Sequence, residues 1–295
     1  MVEANRERLR PNRGAPPTMR ETVYGHKKRI EFFLAAIRKR QESWRKPETS
    51  TRILDVGCGT GVMVTRPLAQ RGFQVVGIDV DAASIVHAKR QAGAEPLPNL
   101  SFVAGRLEDQ DWRGAFDVVI CSEVLEHLHD PAALIALLKE RLTPDGILLI
   151  TVPNGYGLFE LDSHLWSWLH KIRGFWRIPA LVTRGRNALL SALGRDDVLR
   201  EMKEEDDAAN ISTLNEADPH CQSFTYRRVV RLFERCSLKL VAAGKSSLWS
   251  GPFAHTAMRG LDGPIRLNGR LADLLPFFMS SGMYFCFERL PVETG

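Results

Sequence analysis

Residues 57–61 read Gly-Cys-Gly-Thr-Gly, and further along Glu123, Glu126 and His127 fall at i, i+3 and i+4. Glycine inside regular structure costs roughly 0.5–1 kcal/mol against alanine. Three glycines in five positions therefore point to a place where a ligand approaches the backbone closely. A Gly-rich turn between a strand and a helix presents main-chain N–H groups with no Cβ in the way. The structural alternative is an ordinary tight turn. A dinucleotide site would need glycine at the sixth position of G-x-G-x-x-G; counted from Gly57, that position is Val62, and the third glycine is Gly61. If the second cluster is helical, its two carboxylates and one imidazole share a face. His127 could then take a proton from an acceptor hydroxyl. The plainer reading is a helix start with acids near its positive end.

The elements that must position these residues alternate. A helical pattern over 21–44 carries apolar Ile30, Phe33, Leu34 and Ile37. Strands are expected at 52–56, 74–79, 100–105, 116–122 and 147–153. Helices are expected at 61–72, 81–93 and 131–146, with Pro67 inside the first and Pro131 opening the last. Apolar strand followed by helix, repeated, argues for parallel β-α-β units and a doubly wound α/β sheet. Ligands of such sheets sit at the carboxyl ends of the strands. The alternation breaks over 154–220 and resumes at 225–236, 237–245 and 283–290, so the middle segment is an insertion or lid.

"ILDVGCGTG", "VVGIDVD", "FDVVICSEVLEHLHDP" and "LTPDGILLITVPN", in that order, resemble the motifs of class I S-adenosylmethionine-dependent methyltransferases. Within them the chain is similar to the ubiquinone-pathway, type 11 and type 23 O-methyltransferase-like group. The resemblance implies a seven-stranded, mostly parallel, Rossmann-like sheet with a helical lid. It divides the chain into an arm (1–20), an N-terminal helix (21–50), a cofactor half (51–153), a lid or substrate insertion (154–220) and a closing half (221–295). It implies S-adenosyl-L-methionine as cofactor. Gly57, Cys58, Gly59 and Gly61 would line its methionine and ribose, Asp55 would organise the turn, and Asp79 with Val80 would hold the ribose. Arg106 and Leu107 would flank the adenine, although arginine cannot accept a bond from its amine; Glu108 is the alternative acceptor. Cys121 and Ser122 would face the cofactor, with a small buried hydrophobe the alternative for Cys121. His127 and the distant His220 would be catalytic. E-x-x-E-H with a distant histidine also resembles metal-binding relatives, which would make Glu123, Glu126, His127 and His220 ligands of Mg or Mn. His129, His164 and His170 read as surface or lid residues.

The insertion has its own chemistry. Residues 163–195 hold Lys171, Arg173, Arg177, Arg184, Arg186 and Arg195, three tryptophans (Trp166, Trp168, Trp176) and no acid. Such a mixture suits a lid, a peripheral membrane contact or, less well, a nucleic-acid groove. An acidic run at 196–207 follows it directly. The chain has 295 residues and a net charge of +5, a weak pull toward anionic partners. Its five cysteines form no C-x-x-C pair, which argues against a disulfide framework or zinc knuckle and for a reducing, cytoplasmic setting. No apolar run approaches the 18 or so residues of a membrane span. The expected activity is O-methylation of a small, aromatic or lipid-linked acceptor. The alternatives are metal-assisted RNA 2′-O-methylation and a non-catalytic cofactor-binding module.

Overall fold

The structure is a computed structural model that describes residues 19–94, 96–209 and 220–290. Seven strands form one sheet: β1 (Arg52–Val56), β2 (Gln74–Asp79), β3 (Leu100–Ala104), β4 (Phe116–Ser122), β5 (Leu142–Pro153), β6 (Leu238–Lys245) and β7 (Gly282–Arg289). Their order is β3-β2-β1-β4-β5-β7-β6, and only β7 runs antiparallel to its neighbours. The helices are α1 (His26–Trp44), α2 (Thr65–Ala69), α3 (Ala82–Ala94), α4 (Pro131–Arg141), α5 (Leu158–Leu169), α6 (Arg177–Ala192), α7 (Asp196–Ala209), α8 (Tyr226–Arg235), α9 (Pro252–Met258) and α10 (Asp262–Leu274).

The central strands β1 and β4 are mostly apolar and buried at all but one end position each because both faces are covered. Along β4, Val118 and Ile120 pack with Ile30, Phe33 and Ile37 of α1, whereas Val119 and Cys121 pack on the other side with Leu148, Phe233 and Phe285. Side chains alternate with the pleat, so one short run serves two cores. Strand order reverses between β1 and β4, and the crevice at their carboxyl ends is the switch point at which such sheets bind ligands.

Several boundaries depart from the sequence reading. The helix expected over 61–72 shrinks to α2, because residues 57–64 are spent on a turn. Pro67 is the third residue of α2, where its missing N–H breaks no helical bond. The first helix starts at His26, after Gly25 at φ 77°, and Glu21 accepts the N–H groups of Lys27 and Lys28 at 3.1 and 3.0 Å. The basic arm read over 1–20 lies outside the described residues except for its end. There Met19 packs on the core and Arg20 pairs with Asp197, so neither is a free arm residue. The insertion after β5 carries α5, α6 and α7. A second, unforeseen insertion between β6 and β7 carries α9 and α10. Both leave from the carboxyl edge of the sheet, and α9 packs on α5 and α6 to form one helical cap. No helix among the described residues is long and apolar enough to cross a membrane.

Asn154, at the tip of β5, joins the sheet to the cap. Its buried amide donates to the carbonyls of Phe277, Phe278 and Ser280 at 3.2, 3.0 and 2.8 Å. Asn154→Ala removes the side-chain donor from these carbonyls, of which Phe277 keeps the Ser280 N–H and hydroxyl, and is expected to lower unfolding free energy by about 1–3 kcal/mol. Urea denaturation monitored by far-UV circular dichroism checks this; an unchanged midpoint would show that the contact contributes nothing.

Candidate functional site: the glycine turn and the acid–histidine cluster

The turn after β1 runs through three left-handed glycines, with φ of 74° at Gly57, 53° at Gly59 and 72° at Gly61. They are not equivalent. A Cβ on Gly57 would stand 2.3 Å from Val124 Cγ2, and one on Gly61 would stand 2.5 Å from the Phe102 ring. Those two glycines make room for protein. A Cβ on Gly59 would meet nothing within 4 Å, so the open side of the turn belongs to Gly59 alone.

Two aspartates hold the turn. Asp55 is buried and accepts the Thr65 hydroxyl at 2.6 Å, tying the end of β1 to the start of α2. Burial pushes its carboxyl up to about 7, the nearby Asp79 charge adds to this, and the Thr65 bond opposes it. Asp79 bridges the tips of two strands: Oδ2 accepts the Gly59 N–H at 2.7 Å and Oδ1 accepts the Asp81 N–H at 2.8 Å. Val80 beside it is 63% exposed and offers an apolar shelf at the crevice. The Cys58 thiol points under β2, where a Cβ on Gly77 would come within 2.8 Å of it. Burial raises its pKa far above the ordinary thiol range.

The other expected contacts fall differently. Arg106 is exposed and paired with Glu108 at 2.9 Å, while Leu107 is buried and its carbonyl accepts Arg141 at 3.0 Å. Cys121 is fully buried in the core, so it is the small hydrophobe and does not face the crevice. Ser122, the next residue, is half-buried at the tip of β4, and it belongs to a relay that sequence reasoning missed. Arg29 of α1 donates to Ser122 Oγ at 2.9 Å, Ser122 lies 2.8 Å from Thr151 Oγ1, and Thr151 donates to Glu123 Oε1 at 2.5 Å. Arg29 Nη2 closes the loop on Glu123 at 3.6 Å. Arg29 is itself buried, a cation set among Asp55, Glu123 and Glu126. The signal was present in the sequence: positions 29, 33 and 37 form one i, i+4 stripe, so an arginine sits on the apolar face of α1.

Glu123, Glu126 and His127 do not share a helical face. Glu123 adopts φ 57°, and residues 125–127 form a single 3-10 turn, so Glu123 is turned to Arg29. Glu126 and His127 instead meet His220. The N–H groups of Cys221 and Gln222 donate to the Glu126 carbonyl at 3.0 and 3.1 Å, and the Gln222 side chain donates to the carbonyls of Leu128 and His129. This sets the His127 and His220 rings edge to face at 5.0 Å. His127 Nε2 lies 4.0 Å from Glu126 Oε1, and one ligand atom each from Glu126, His127 and His220 lies within 4.8 Å of the others. Glu126 is buried with Oε2 unpaired; burial first, and then the Glu123 charge, push its carboxyl up to about 9. The structure thus brings together three of the four anticipated metal ligands and takes Glu123 away. His129, His164 and His170 are exposed, as expected.

Comparison with known proteins places this geometry among relatives. Residues 26–243 match the family described as methyltransferase domain. The chain is 34% identical over 129 residues to the ubiquinone biosynthesis O-methyltransferase of Rhodopseudomonas palustris (strain HaA2), covering 43% of this chain and 50% of that protein. It is 40% identical over 105 residues to the trans-aconitate 2-methyltransferase of Deinococcus radiodurans, covering 36% and 39%. The chain therefore spans half or less of the length of these curated relatives. Among solved structures, one from work on the conversion of a disulfide bond into a thioacetal group during echinomycin biosynthesis superposes with TM-score 0.50 at 16% identity, covering 87% of this chain and 80% of that one. It is a likeness of fold.

The raised Asp55 carboxyl makes stability fall with pH. The folded state holds a proton that the unfolded state releases near pH 4, so the contribution is full below that point and is lost as pH rises through about 7. Asp55→Asn removes this dependence. Urea midpoints should show the wild type losing a few kcal/mol relative to the variant between pH 4.5 and 7.5 (roughly the two ends of that window). Parallel curves for the two proteins would place the Asp55 proton elsewhere.

Proposed function

The chain belongs to the methyltransferase domain family, and from that membership we propose that it is an S-adenosylmethionine-dependent O-methyltransferase acting on a small or lipid-linked acceptor. The observation that carries this reading is the pairing of two features at one sheet edge: a glycine turn whose Gly59 side stands open, and an acid–histidine cluster beside it.

The residues fit the cofactor. The open Gly59 side admits a ligand against bare backbone, Asp79 supplies a carboxylate for ribose hydroxyls, and Val80 supplies an apolar face for adenine. Arg29, a buried cation among carboxylates, suits the carboxylate of the methionine moiety. S-adenosylmethionine, when bound, supplies a methyl carbon made electrophilic by its sulfonium. The chain must then orient an acceptor oxygen, exclude water and remove a proton. Positioning supplies several kcal/mol of the barrier, roughly 7–11 at best. His127 and His220 are the groups that take the hydroxyl proton, and the buried Glu126 beside His127 orients the imidazole. A divalent ion of the Mg or Mn class is the second reading, favoured because two imidazoles and one carboxylate converge there. It would lower the acceptor hydroxyl's pKa instead.

The cap favours an acceptor delivered at a lipid surface. On α6, Ile178, Leu181, Val182 and Leu189 form an exposed stripe at helical spacing, and exposed Trp168 and Trp176 lie nearby. Lys171, Arg173, Arg177 and Arg184 are exposed around them, which suits anionic head groups. Arg186 and Arg195 do not contribute: the first is buried on the carbonyls of His255 and Thr256, and the second pairs with Asp262. These features support peripheral contact with a membrane, and our reading is of a cytoplasmic enzyme that docks there.

A transfer assay with methyl-labelled cofactor tests the reading. It offers lipid extract, phenols, sugars and RNA, each with added divalent ion or chelator. Label should enter the lipid or phenol fraction, and His127→Ala should lower kcat by about 10²–10⁴ with cofactor affinity unchanged. Full activity in both His127→Ala and His220→Ala would remove the cluster from the chemistry. Label in RNA alone would overturn the acceptor class.

A further inference from the structure

We infer that the groove between α5 and α10 is a hydrocarbon-chain site that holds the tail of the acceptor. This rests on the O-methyltransferase reading with a lipid-linked acceptor. The groove has a volume of about 450 Å³, within the range of small-molecule sites. Leu161 and Leu165 of α5, Leu267 and Leu271 of α10, and Phe253 and Met258 of α9 line it. These leucines recur at i, i+4 on each helix and remain exposed, Leu161 at 64% and Leu267 at 58%. Among the described residues, these two apolar stripes are thus left uncovered.

The chemistry of the lining selects the occupant. Its polar side chains are Asp162 and Asn268, and both are already used. The Asp162 carboxylate accepts the Trp249 indole N–H and the backbone N–H groups of Phe253 and Ala254, the latter two at 3.0 and 3.3 Å. The Asn268 amide donates to the Trp249 carbonyl at 2.7 Å and accepts the Trp249 N–H at 2.9 Å. A groove whose polar atoms are paired offers a ligand no hydrogen bond. A peptide strand or nucleotide would leave its own polar groups unsatisfied there, whereas methylene and methyl groups lose nothing.

Its position selects the same occupant. Leu158, at the inner end, follows directly on the Asn154–Gly157 turn at the tip of β5, the strand whose Thr151 bonds Glu123. Leu248 follows the tip of β6. The groove therefore begins at the sheet edge that carries the acid–histidine cluster. Arg266 and Arg270 are exposed next to Leu267 and Leu271, and Lys171 and Arg173 lie just past the end of α5. The acids of α10, Asp262 and Asp273, are paired with Arg195 and Lys28, so these four cations leave positive charge beside an apolar slot, complementary to an anionic lipid surface from which a tail would be drawn.

The test titrates the full chain with dansyl-undecanoic acid, followed by displacement with straight-chain alcohols of increasing length. Saturable binding is expected, with displacement that strengthens as the alcohol lengthens. Leu161→Glu and Leu271→Glu should each weaken probe binding at least about tenfold by setting a carboxylate in the slot. Val86→Glu, at an exposed position of α3 that carries no assigned role, should leave probe binding unchanged. Both groove positions are on the exposed rim, so S-adenosylhomocysteine binding and the thermal midpoint should persist and show that the variants fold. No saturable probe binding by the folded chain would overturn the inference, as would unaltered affinity in both groove variants. So would a concentration-dependent dimer that both substitutions dissolve, since the groove would then join two copies of the chain. Failure of the unaltered chain to bind S-adenosylhomocysteine would strike the methyltransferase reading instead, and the probe titration does not depend on it.

Discussion

The Asp79 carboxylate holds the Gly59 N–H across the gap between two strand tips. The rest of the site depends on that bond. The turn it fixes passes through three left-handed residues, a path that costs an ordinary residue roughly 1–2 kcal/mol at each step. Gly57 and Gly61 give up their side chains so that Val124 and Phe102 can pack against the turn, and this packing leaves Gly59 facing outward. Asp55 supports the same turn from beneath through Thr65. The cradle is thus a backbone surface shaped by neighbours, and it stands at the point where the sheet order reverses.

Charge is organised around this point by a single helix from outside the sheet. Arg29 lies on the apolar face of α1, yet its guanidinium reaches Ser122 and Glu123 at the tip of β4. It pairs with Glu123 in a half-buried place, and the Glu123 charge adds to burial in pushing the Glu126 carboxyl up. Two carboxyls three positions apart therefore play different parts. One anchors the strand tip to α1, while the other sits beside the two histidines with an oxygen unpaired. The 3-10 turn at 125–127, in place of a longer helix, is what separates them.

Much of this was legible from residue order. The alternation of apolar runs and helical stripes gave the doubly wound sheet, because strands buried on both faces need uniform apolar composition and the helices covering them do not. The glycine turn and the carboxylate of Asp79 were legible because few other residue types fit there. Three things were not. Which glycine faces a ligand depends on Val124 and Phe102, which are remote in sequence. The burial of Arg186 and the pairing of Arg195 with Asp262 depend on a second insertion, whose short helices α9 and α10 resemble loop in the sequence. The splitting of Glu123 from Glu126 depends on one left-handed residue that periodicity treats as helical. In the first two cases local pattern was overruled by a contact made from a distant segment, and in the third by the backbone conformation of a single residue.

The account stands most directly on what occupies the open side of Gly59. Calorimetric titration of S-adenosylhomocysteine into Gly59→Ala, alongside a urea denaturation of the same sample, measures this. The added methyl meets no protein atom, so stability should fall by no more than about 1–2 kcal/mol, the left-handed penalty alone. Affinity for the nucleoside should fall by at least about a hundredfold, because the methyl would occupy its place. A folded Gly59→Ala protein that binds S-adenosylhomocysteine as tightly as the wild type would contradict the account at its base.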